Sequence, residues 1–589
     1  MTADEILARA RARASANRTA LGVESDSERI AALPAWKPDD DEQDALAERW
    51  TLALRLRRDA RRLRPVQAYA LEAAFRASKP QGVLLEAGVG SGKTLALRLM
   101  ATVMNAVNPL LLLYSKDLAA AERAAWEWGQ EYGIRPCTIR TYESLSRPDA
   151  TAMLRVLAPD LILADECHAL RHADAVRTKR FLRYMRANPE VRFVGASGTL
   201  MTNGVRDYAH LSELALREAS PLPTDGTVLK QWAAVMDFDG EPDDAAWAAV
   251  EPLVRWVRPT WRAPSASTSG DRDVEACRQA LAERKASAPG FVVTTRQSCE
   301  EPLSLRAVYP DLRPDVKAAL SSLHRDYVLP DGTPVVDALH FHRAAQQLSL
   351  GFWYEWVWPN DEPDLDWLDA RSTWASAVRR YLKSYSREGC DSPFLVEEYV
   401  RRAPLSQASE LRNALAAWDE QRDKDEPPTR AVWIDTGPVE FAVEWAKQQD
   451  PEVGAFLWFR NRAVGELLQQ LGVPCFWQEE PQPAVHRIAG LSIRVHSAGK
   501  NYQPWGTQLV MEPGSSAAEW EQLLGRQHRQ GRVGAVHADV YQHTWPQKQA
   551  FKKALAKAEN RQTSSGQPEK LLVAERRDFP GVFTHNPYE

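Results

Sequence analysis

The stretch "LLEAGVGSGKT", Leu84 to Thr94, decides the fold class. An apolar run enters a glycine-rich turn, and the turn ends in Lys-Thr where a helical pattern begins. In this order, backbone N–H groups of the turn and of the helix N-terminus point at phosphate oxygens. Lys93 adds a positive charge and Thr94 a hydroxyl ligand for Mg²⁺, while Gly90 and Gly92 allow close backbone approach. The stretch therefore predicts a nucleotide phosphate site.

The usual phosphate-loop pattern, G-x-x-x-x-G-K-[ST], opens with glycine, whereas this chain has Ala87 at that position. The strand–turn–helix context is otherwise right. The predicted nucleotide-binding residues of the loop are Ala87, Gly88, Gly90, Ser91, Gly92, Lys93 and Thr94.

Outward from this turn, the chain alternates between short apolar strands and helical segments. The strands "GVLLEA", "PLLLLYS", "DLILADE" and "VRFVGAS" lie within 63–201. The alternation returns over 431–557 with "AVWID", "GAFLWF", "VPCFWQ", "LSIRVHS", "TQLVME" and "VHADVYQ". Strands separated by helices of this length are typical of a parallel, doubly wound sheet. We therefore predict two α/β domains of similar kind.

An acidic pair, Asp165 and Glu166, ends the apolar strand in "LILADECHAL", 165 − 93 = 72 residues after Lys93. A carboxylate in this place can hold Mg²⁺, and the next carboxylate can polarise an attacking water. We predict Asp165 and Thr94 as metal ligands, and Lys93, Asp165 and Glu166 as catalytic residues.

Several motifs resemble those of superfamily 2 helicases and translocases. "AGVGSGKT" and "DECH" are similar to the first two nucleotide motifs of that family. Ser197 and Thr199 in "VGASGTL" match the Ser/Thr motif that couples nucleotide state to the nucleic-acid groove. Gln67 in "RRLRPVQAYAL" resembles the glutamine that reads adenine in Swi/Snf-type members. Thr141 in "TYESL" resembles a motif that touches the nucleic-acid backbone.

The resemblance continues near the C-terminus. "EQLLGRQHRQGR" is similar to the last motif of the family, with Gln522 among its nucleotide contacts and Arg526 and Arg529 as arginine fingers. The two arginines are three residues apart and share a face if the segment is helical. "HSAGKNYQPW" resembles the fifth motif, with Gly499 and Asn501 in the matching places; the resemblance implies nucleotide contact for Gly499 and nucleic-acid coupling for Asn501.

The resemblance covers roughly 63–205 and 431–545, and it is nearest to Swi/Snf-like proteins of bacteria and bacteriophages. It implies an α/β fold with two RecA-like parallel-sheet lobes, and ATP and Mg²⁺ between them. The implied activity is that of a nucleic-acid-stimulated ATP hydrolase, either a helicase or a duplex translocase, with DNA as the expected nucleic acid. The alternative is an ATP-gated adaptor that controls assembly with a protein partner through the insertion between the lobes.

The expected organisation has five parts. They are a helical N-terminal extension over 1–60, a first lobe over 61–205, a helical Trp-rich insertion over 206–430, a second lobe over 431–557, and a C-terminal tail over 558–589.

The overall composition neither requires nor excludes a nucleic-acid partner. The net charge is 74 − 79 = −5, so nucleic-acid binding would depend on local basic surface. The six cysteines form no zinc-like cluster, and no apolar run reaches the ~20 residues of a membrane span. We expect a reduced, cytoplasmic protein of a bacterial or phage-infected cell, without membrane contact.

The sequence leaves two interpretations open for an aromatic segment, 351–367, and for an arginine-rich segment, 55–64. The aromatic stretch "GFWYEWVWPNDEPDLDW" over 351–367 can pack the insertion against the lobes or stack bases, and its acidic flanks favour packing. The run "RLRRDARRLR" over 55–64 reads as a helix that is either solvated or in contact with a nucleic-acid backbone.

Overall fold

The computed structural model describes most of the chain between residues 25 and 579. The described ranges are 25–88, 90–198, 200–202, 204–294, 296–297, 299–332, 335, 338–358, 362–385, 390, 393–402, 409–422, 428–481, 487–497 and 500–579. Residues 1–24 and 580–589, which the sequence analysis assigned to the N-terminal extension and the C-terminal tail, lie outside them.

The described residues form α-helices and strands in the following order along the chain. The helices are α1 (Asp26–Ala32), α2 (Asp40–Leu54), α3 (Pro65–Arg76), α4 (Lys93–Val103), α5 (Leu118–Glu131), α6 (Ala150–Leu157), α7 (Val176–Ala187), α8 (Ala209–Leu216), α9 (Gly226–Met236), α10 (Asp244–Val257), α11 (Asp271–Ser287), α12 (Pro314–Asp326), α13 (Ala338–Leu348), α14 (Leu365–Tyr385), α15 (Pro393–Arg402), α16 (Ser409–Gln421), α17 (Gly437–Lys447), α18 (Arg462–Gln470), α19 (Ile493–His496), α20 (Ala517–Leu524), α21 (Trp545–Ser565) and α22 (Lys570–Val573). The strands are β1 (Val83–Glu86), β2 (Pro109–Leu113), β3 (Thr138–Thr141), β4 (Leu161–Asp165), β5 (Arg192–Ser197), β6 (Phe291–Val293), β7 (Leu303–Val308), β8 (Phe352–Trp356), β9 (Thr429–Trp433), β10 (Ala455–Phe459), β11 (Cys475–Phe476), β12 (Ile488–Ser492), β13 (Thr507–Val510), β14 (Val536–Tyr541) and β15 (Glu575–Arg577).

The first lobe is built on a parallel sheet with the strand order β3-β2-β4-β5-β1-β6 in the described residues. Successive residues of its strands face opposite sides, as the strand period of two requires. Leu84 and Ile162 face the core that contains α7 to α11, and Leu85 and Leu163 face the core that contains α3 and α4. Both faces are covered by helices, which is why the inner strands β1, β2 and β4 are mainly apolar.

The second lobe is built on a parallel sheet with the order β11-β12-β10-β13-β14-β7-β15 in the described residues. Phe456 and Trp458 of β10 face the core that contains α20 and α21. Leu457 and Phe459 face the core that contains α17 and α18. The expected α/β class with two parallel sheets is therefore confirmed.

The first sheet extends beyond the boundary expected at residue 205. β6 pairs in parallel with β1, with Val292 opposite Leu85. Trp232 of α9 and Trp247 of α10 are buried in the same core as Leu84. Residues 209–293 thus belong to the first lobe, because their apolar faces cover its sheet.

The second sheet likewise begins before 431 and ends after 557. β7 lies between β14 and β15, with Leu305 opposite Ala538. β15 pairs with β7 within the segment expected to be a tail, and Leu571 is buried in the core of this lobe. In contrast, β9, expected as a strand of the second sheet, pairs antiparallel with β8 outside it.

The rest of the expected insertion includes α12 and α13, which share a core with Trp353, and a helical module, α14 to α16, with a core of its own. The aromatic stretch leads into it and packs against protein, as the favoured interpretation predicted. Phe352 is buried in the second lobe and lies 4.7 Å from Trp433 between ring centroids. Trp353 is also buried, and Trp367 packs edge-on against Trp418 at 5.9 Å.

The acidic, proline-containing stretch "KPDDDEQD", 37–44, marks the break between α1 and α2, and Asp39 within it caps α2 in a capping box with Glu42. The arginine run over 55–64 differs from expectation. The arginine run forms no helix, since α2 ends at Leu54 and the chain stays irregular up to Arg64. None of the helices in the described ranges has the length and apolar character of a membrane span.

Candidate functional site

The phosphate loop lies between β1 and α4, at the carboxyl edge of the first sheet. Gly90 and Gly92 have φ of +87° and +85°, a left-handed conformation that favours glycine. A Cβ atom on Gly92 would also lie 2.3 Å from Nε2 of Gln67. Ala87 is not among the residues with positive φ, and its N–H donates to the Ser197 carbonyl at 3.1 Å. Alanine therefore fits where the usual pattern has glycine.

Lys93 begins α4 and is buried beneath the loop. Its Nζ donates to the carbonyl oxygens of Ala87 at 3.0 Å and Gly88 at 3.2 Å, and lies 4.0 Å from the Glu166 carboxylate. The Ser91 hydroxyl is buried and has no hydrogen-bond partner in the described part of the chain. A buried ammonium and an unpaired hydroxyl fit the demands of a polyphosphate.

Thr94 and Asp165 form the candidate metal site. The Thr94 hydroxyl donates to Oδ2 of Asp165 at 2.6 Å, which brings two hard oxygen ligands together. Burial and the adjacent Glu166 raise the pKa of Asp165 to about 6, against the hydrogen bond from Thr94 and the charge of Lys93. The described residues contain no group of three or more His, Cys, Asp or Glu placed to bind a metal. Mg²⁺ held by this pair would take its other ligands from phosphate and water.

Glu166 follows β4 in a left-handed conformation with φ of +52°. The Ser197 hydroxyl donates to its carboxylate at 3.2 Å, and Nδ1 of His168 lies 3.2 Å from the same oxygen. Burial alone would raise the pKa of Glu166. Lys93, the His168 hydrogen bond and Arg526 outweigh burial and hold that pKa below its ordinary value. Glu166 is therefore an ionised acceptor that faces the phosphate loop.

Two arginines of the second lobe lie against this site. A Cβ atom on Gly90 would lie 3.0 Å from Cβ and 3.6 Å from Nε of Arg529. Arg526 is buried, and its charge acts on Glu166 across the cleft. Burial and Arg529 lower the pKa of Arg526 to about 10. Both guanidinium groups donate to the Lys500 carbonyl, at 2.8 and 3.3 Å.

Gln67 lies under the loop, but its amide is engaged with backbone. Its Nε2 donates to the Gly92 carbonyl at 2.9 Å, and its Oε1 accepts the Arg64 N–H at 2.8 Å. The adenine-reading role implied by the resemblance stays a prediction, and this arrangement shows Gln67 bracing the loop.

The remaining predicted residues lie at different distances from the loop. Gln522 is on α20, and its carbonyl accepts from Arg526 at 2.9 Å. Thr141 ends β3 at the same edge of the first sheet. The Asn501 amide is exposed and donates to Gln503 at 3.1 Å. Thr199 and Gly499 fall outside the described residues.

Three further groups at the site were not predicted. Arg64 donates to the Gly90 carbonyl, and burial together with Arg529 lowers its pKa. His168 contacts the Ser197 hydroxyl at 2.9 Å. Asp117 interacts electrostatically with Glu166 and Arg526. His168 is the last residue of "DECH" and Arg64 is the last residue of the arginine run over 55–64, whereas Asp117 carried no sequence signal.

A cavity of about 450 Å³ opens beside the loop. The first lobe contributes Arg64 and Ser91 to its walls, and the second lobe contributes Gln530 and Arg532. Its size is within the range of small-molecule sites, and both lobes line it.

Compared with known proteins, the chain matches no family model and no curated protein at a significant level of similarity.

Proposed function

We propose that the chain is an ATP hydrolase with two RecA-like lobes. It couples ATP turnover to movement along nucleic acid, and DNA is the expected polymer. The observation that carries this proposal is the position of Arg526 and Arg529. Both belong to the second lobe, yet Arg529 lies against Gly90 of the first lobe and the charge of Arg526 acts on Glu166 there. Such a site is complete only when the lobes are closed, which is what a machine driven by nucleotide binding requires.

Each residue then has a defined task. Lys93 and the loop N–H groups bind the β- and γ-phosphates. Thr94 and Asp165 would hold Mg²⁺, which would neutralise negative charge on the phosphate oxygens of ATP. Glu166 orients and polarises the attacking water.

The arginines act on the other side of the phosphates. Arg526 and Arg529 can stabilise the negative charge that spreads over the transferred phosphoryl group. Their planar, multi-donor groups suit this task better than an ammonium does. The cavity beside Arg64 and Ser91 offers room for the base and sugar of the nucleotide.

Contact between Ser197 and Glu166 supports coupling to a polymer. Ser197 ends β5, and Gly198 follows it in the segment that the resemblance relates to the nucleic-acid groove. A polymer that moves this segment would move a hydrogen-bond donor of Glu166. Nucleic-acid binding would therefore change the position or charge of the water-polarising carboxylate.

The decisive experiment is the steady-state rate of ATP hydrolysis with no polymer, single-stranded DNA, duplex DNA and RNA. We expect stimulation by DNA, and Lys93→Ala should abolish turnover in every condition. Turnover that ignores all three polymers and responds to a protein partner would instead favour the ATP-gated adaptor. Absence of ATP hydrolysis under every condition would contradict the proposal.

A further inference from the structure

The segment 561–570, here called the strap, was expected to be part of a tail. It contains the end of α21, the turn at Gly566 and the first residue of α22. Its charged residues Arg561, Glu569 and Lys570 are nearly inaccessible to solvent. A flexible tail does not bury such groups, since burial of charge requires partners.

The partners of the strap belong to three functional places. The Gln567 amide donates to the Glu86 carbonyl at 2.6 Å, directly before the phosphate loop. The Arg561 guanidinium donates to the Gly198 carbonyl at 3.3 Å, next to Ser197. The Lys570 N–H donates to the Glu521 carboxylate at 2.9 Å, on the helix that leads to the two arginines.

A second set of buried charges ties the strap to the first lobe. The Glu86 carboxylate lies 2.7 Å from Nζ of Lys285 on α11, and both side chains are almost fully buried. Lys285 also donates to the Ser564 carbonyl in the last turn of α21 at 3.3 Å. A cation at a helix C-terminus is favourable because free carbonyl groups point at it. α21 packs along α11 between the lobes.

Little space separates the strap from the loop. A cavity of about 20 Å³, enough for one water molecule, is lined by Gly88 and Gly198 from the first lobe and by Gln567 and Glu569 from the strap. Within the strap, Arg561 lies 3.1 Å from the Glu569 carboxylate. A displacement of the strap would therefore displace the residues that flank the phosphate loop.

We propose that the strap is a positioning element that holds the arginine-bearing part of the second lobe against the phosphate loop, with Arg561 and Gln567 as its positioning residues. Its catalytic consequence rests on the ATP hydrolase function proposed above. Arg561 acts through Gly198 on Ser197 and hence on Glu166. Gln567 acts through Glu86 on the loop itself. Neither side chain needs to touch the nucleotide.

The test compares Glu569→Gln with Glu569→Gln/Arg561→Met. The parent keeps the bond from Arg561 to Gly198, and the double variant loses it without leaving a buried carboxylate unpaired. We expect kcat to fall at least ~10-fold between parent and double variant, about 1.4 kcal/mol of barrier, with KM little changed. Arg561→Lys, which keeps one donor, should recover part of the loss. Lys553→Met, a cation lost from the exposed side of α21, serves as the control.

A second readout does not depend on hydrolysis. Dyes at Val107 of the first lobe and Val533 of the second, 84% and 86% exposed, report lobe closure by energy transfer with a non-hydrolysable ATP analogue. Non-natural amino acids avoid the six native cysteines. We expect the double variant to populate more open states than its parent.

The outcomes separate the two proposals. Unchanged kcat and unchanged closure in the double variant would overturn the role of the strap. Strap-dependent closure without ATP hydrolysis in any variant would support the strap and reject the hydrolase. If the double variant does not fold, Gln567→Met, which removes the donor to Glu86, is judged by the same two measurements.

Discussion

Glu166 occupies a left-handed backbone conformation that an ordinary residue enters at a cost of about 1–3 kcal/mol. The conformation turns its carboxylate towards Ser197 and His168, which bind one oxygen and leave the other 4.0 Å from Lys93. A residue that only ended a strand would not need this arrangement. The local geometry thus favours a chemical task for this carboxylate.

Glu166→Gln should therefore stop hydrolysis and spare ATP binding. The amide keeps the volume and the contact with Ser197, but it cannot polarise a water. We expect kcat to fall by ~10²-fold or more, the usual range for a lost general base. Steady-state turnover and nucleotide affinity measured together check this, with Glu122→Gln on the exposed side of α5 as control. Normal turnover of the folded variant would remove Glu166 from this role.

Arg529→Ala tests whether the site is shared between the lobes. The variant should fold and bind ATP through Lys93, while turnover falls by ~10³-fold or more, as when an arginine finger is removed. Arg529→Lys should recover little, because an ammonium cannot reproduce the planar fork of donors. Arg462→Ala, an exposed arginine on α18, is the matched control. Wild-type turnover with wild-type response to DNA would make Arg529 ordinary surface charge.

Short local patterns predicted which residues of the first lobe meet. Thr94 is hydrogen-bonded to Asp165 and Lys93 lies at ion-pair distance from Glu166, because the start of α4 and the end of β4 meet at the same sheet edge. Their catalytic roles stay predictions. The engagement of Gln67 with Gly92 was not predictable, because it depends on how α3 packs on the loop.

At the scale of elements, strong apolar strands were predicted well and weak ones were missed. "GVLLEA", "PLLLLYS", "DLILADE" and "VRFVGAS" correspond to β1, β2, β4 and β5. β6 has only three residues, and the alternation of apolar and polar residues in β7 does not indicate which sheet the strand joins. Pairing with distant strands places them in the sheets. For this reason the domain boundaries at 205 and 431 did not match the structure.

Removal of residues 558–589, the segment expected to be a tail, should destabilise the second lobe. It deletes the end of α21, β15 and the buried Leu571, and loss of one buried leucine alone costs about 2–5 kcal/mol. A truncation after Phe579 keeps these contacts, including the stacking of Phe579 on Phe551 at 4.7 Å. Thermal unfolding of both forms checks the expectation. Equal melting temperatures would show that the segment is dispensable.

Glu569 should make stability depend on pH. Burial raises its pKa to about 8, with Glu521 and Glu86 acting in the same direction and Arg561 and Lys570 against it. The folded chain then binds the proton more tightly than the unfolded chain, so this group's contribution to stability falls as pH rises from about 4.5 to about 8.

A glutamine at position 569 cannot ionise, so the Glu569→Gln variant should not show this loss of stability in this pH range. Its melting temperature relative to wild type should therefore rise between about pH 5 and about pH 8. Glu48→Gln, at an exposed position on α2, should run parallel to wild type. If the melting temperature of Glu569→Gln also runs parallel to that of wild type across this pH range, the pKa of Glu569 is not raised in the folded chain.

At the scale of the whole molecule, the contacts between the two lobes include the arginines on the loop, α21 on α11, and the strap on Glu86 and Gly198. The sequence indicated the first contact through the spacing of its motifs. It could not indicate the contact of α21 with α11, because the sequence of a helix without a distinctive motif does not show which lobe the helix packs on.

A nucleic acid that runs across both lobes must be held by basic groups, although the net charge is −5. Each phosphate contact releases counterions, so affinity falls as a power of salt concentration, with a slope of about −0.9 per contact on duplex DNA and about −0.7 on single strands. With four or more contacts, duplex affinity should drop ~10²-fold or more between about 50 and about 200 mM salt. Fluorescence anisotropy at several salt concentrations measures this slope, and ATP affinity in the same buffers is the control.

The slope also separates the two functional interpretations. An adaptor that recognises a protein partner has no reason to neutralise a row of phosphates, so a flat response to salt would favour it. A steep slope shared by unrelated sequences would indicate contact with the backbone, the part of nucleic acid that a translocating machine follows. A steeper slope on duplex than on single strands, beyond the ratio of 0.9 to 0.7, would mean that more phosphates are held on duplex, as expected for a duplex translocase.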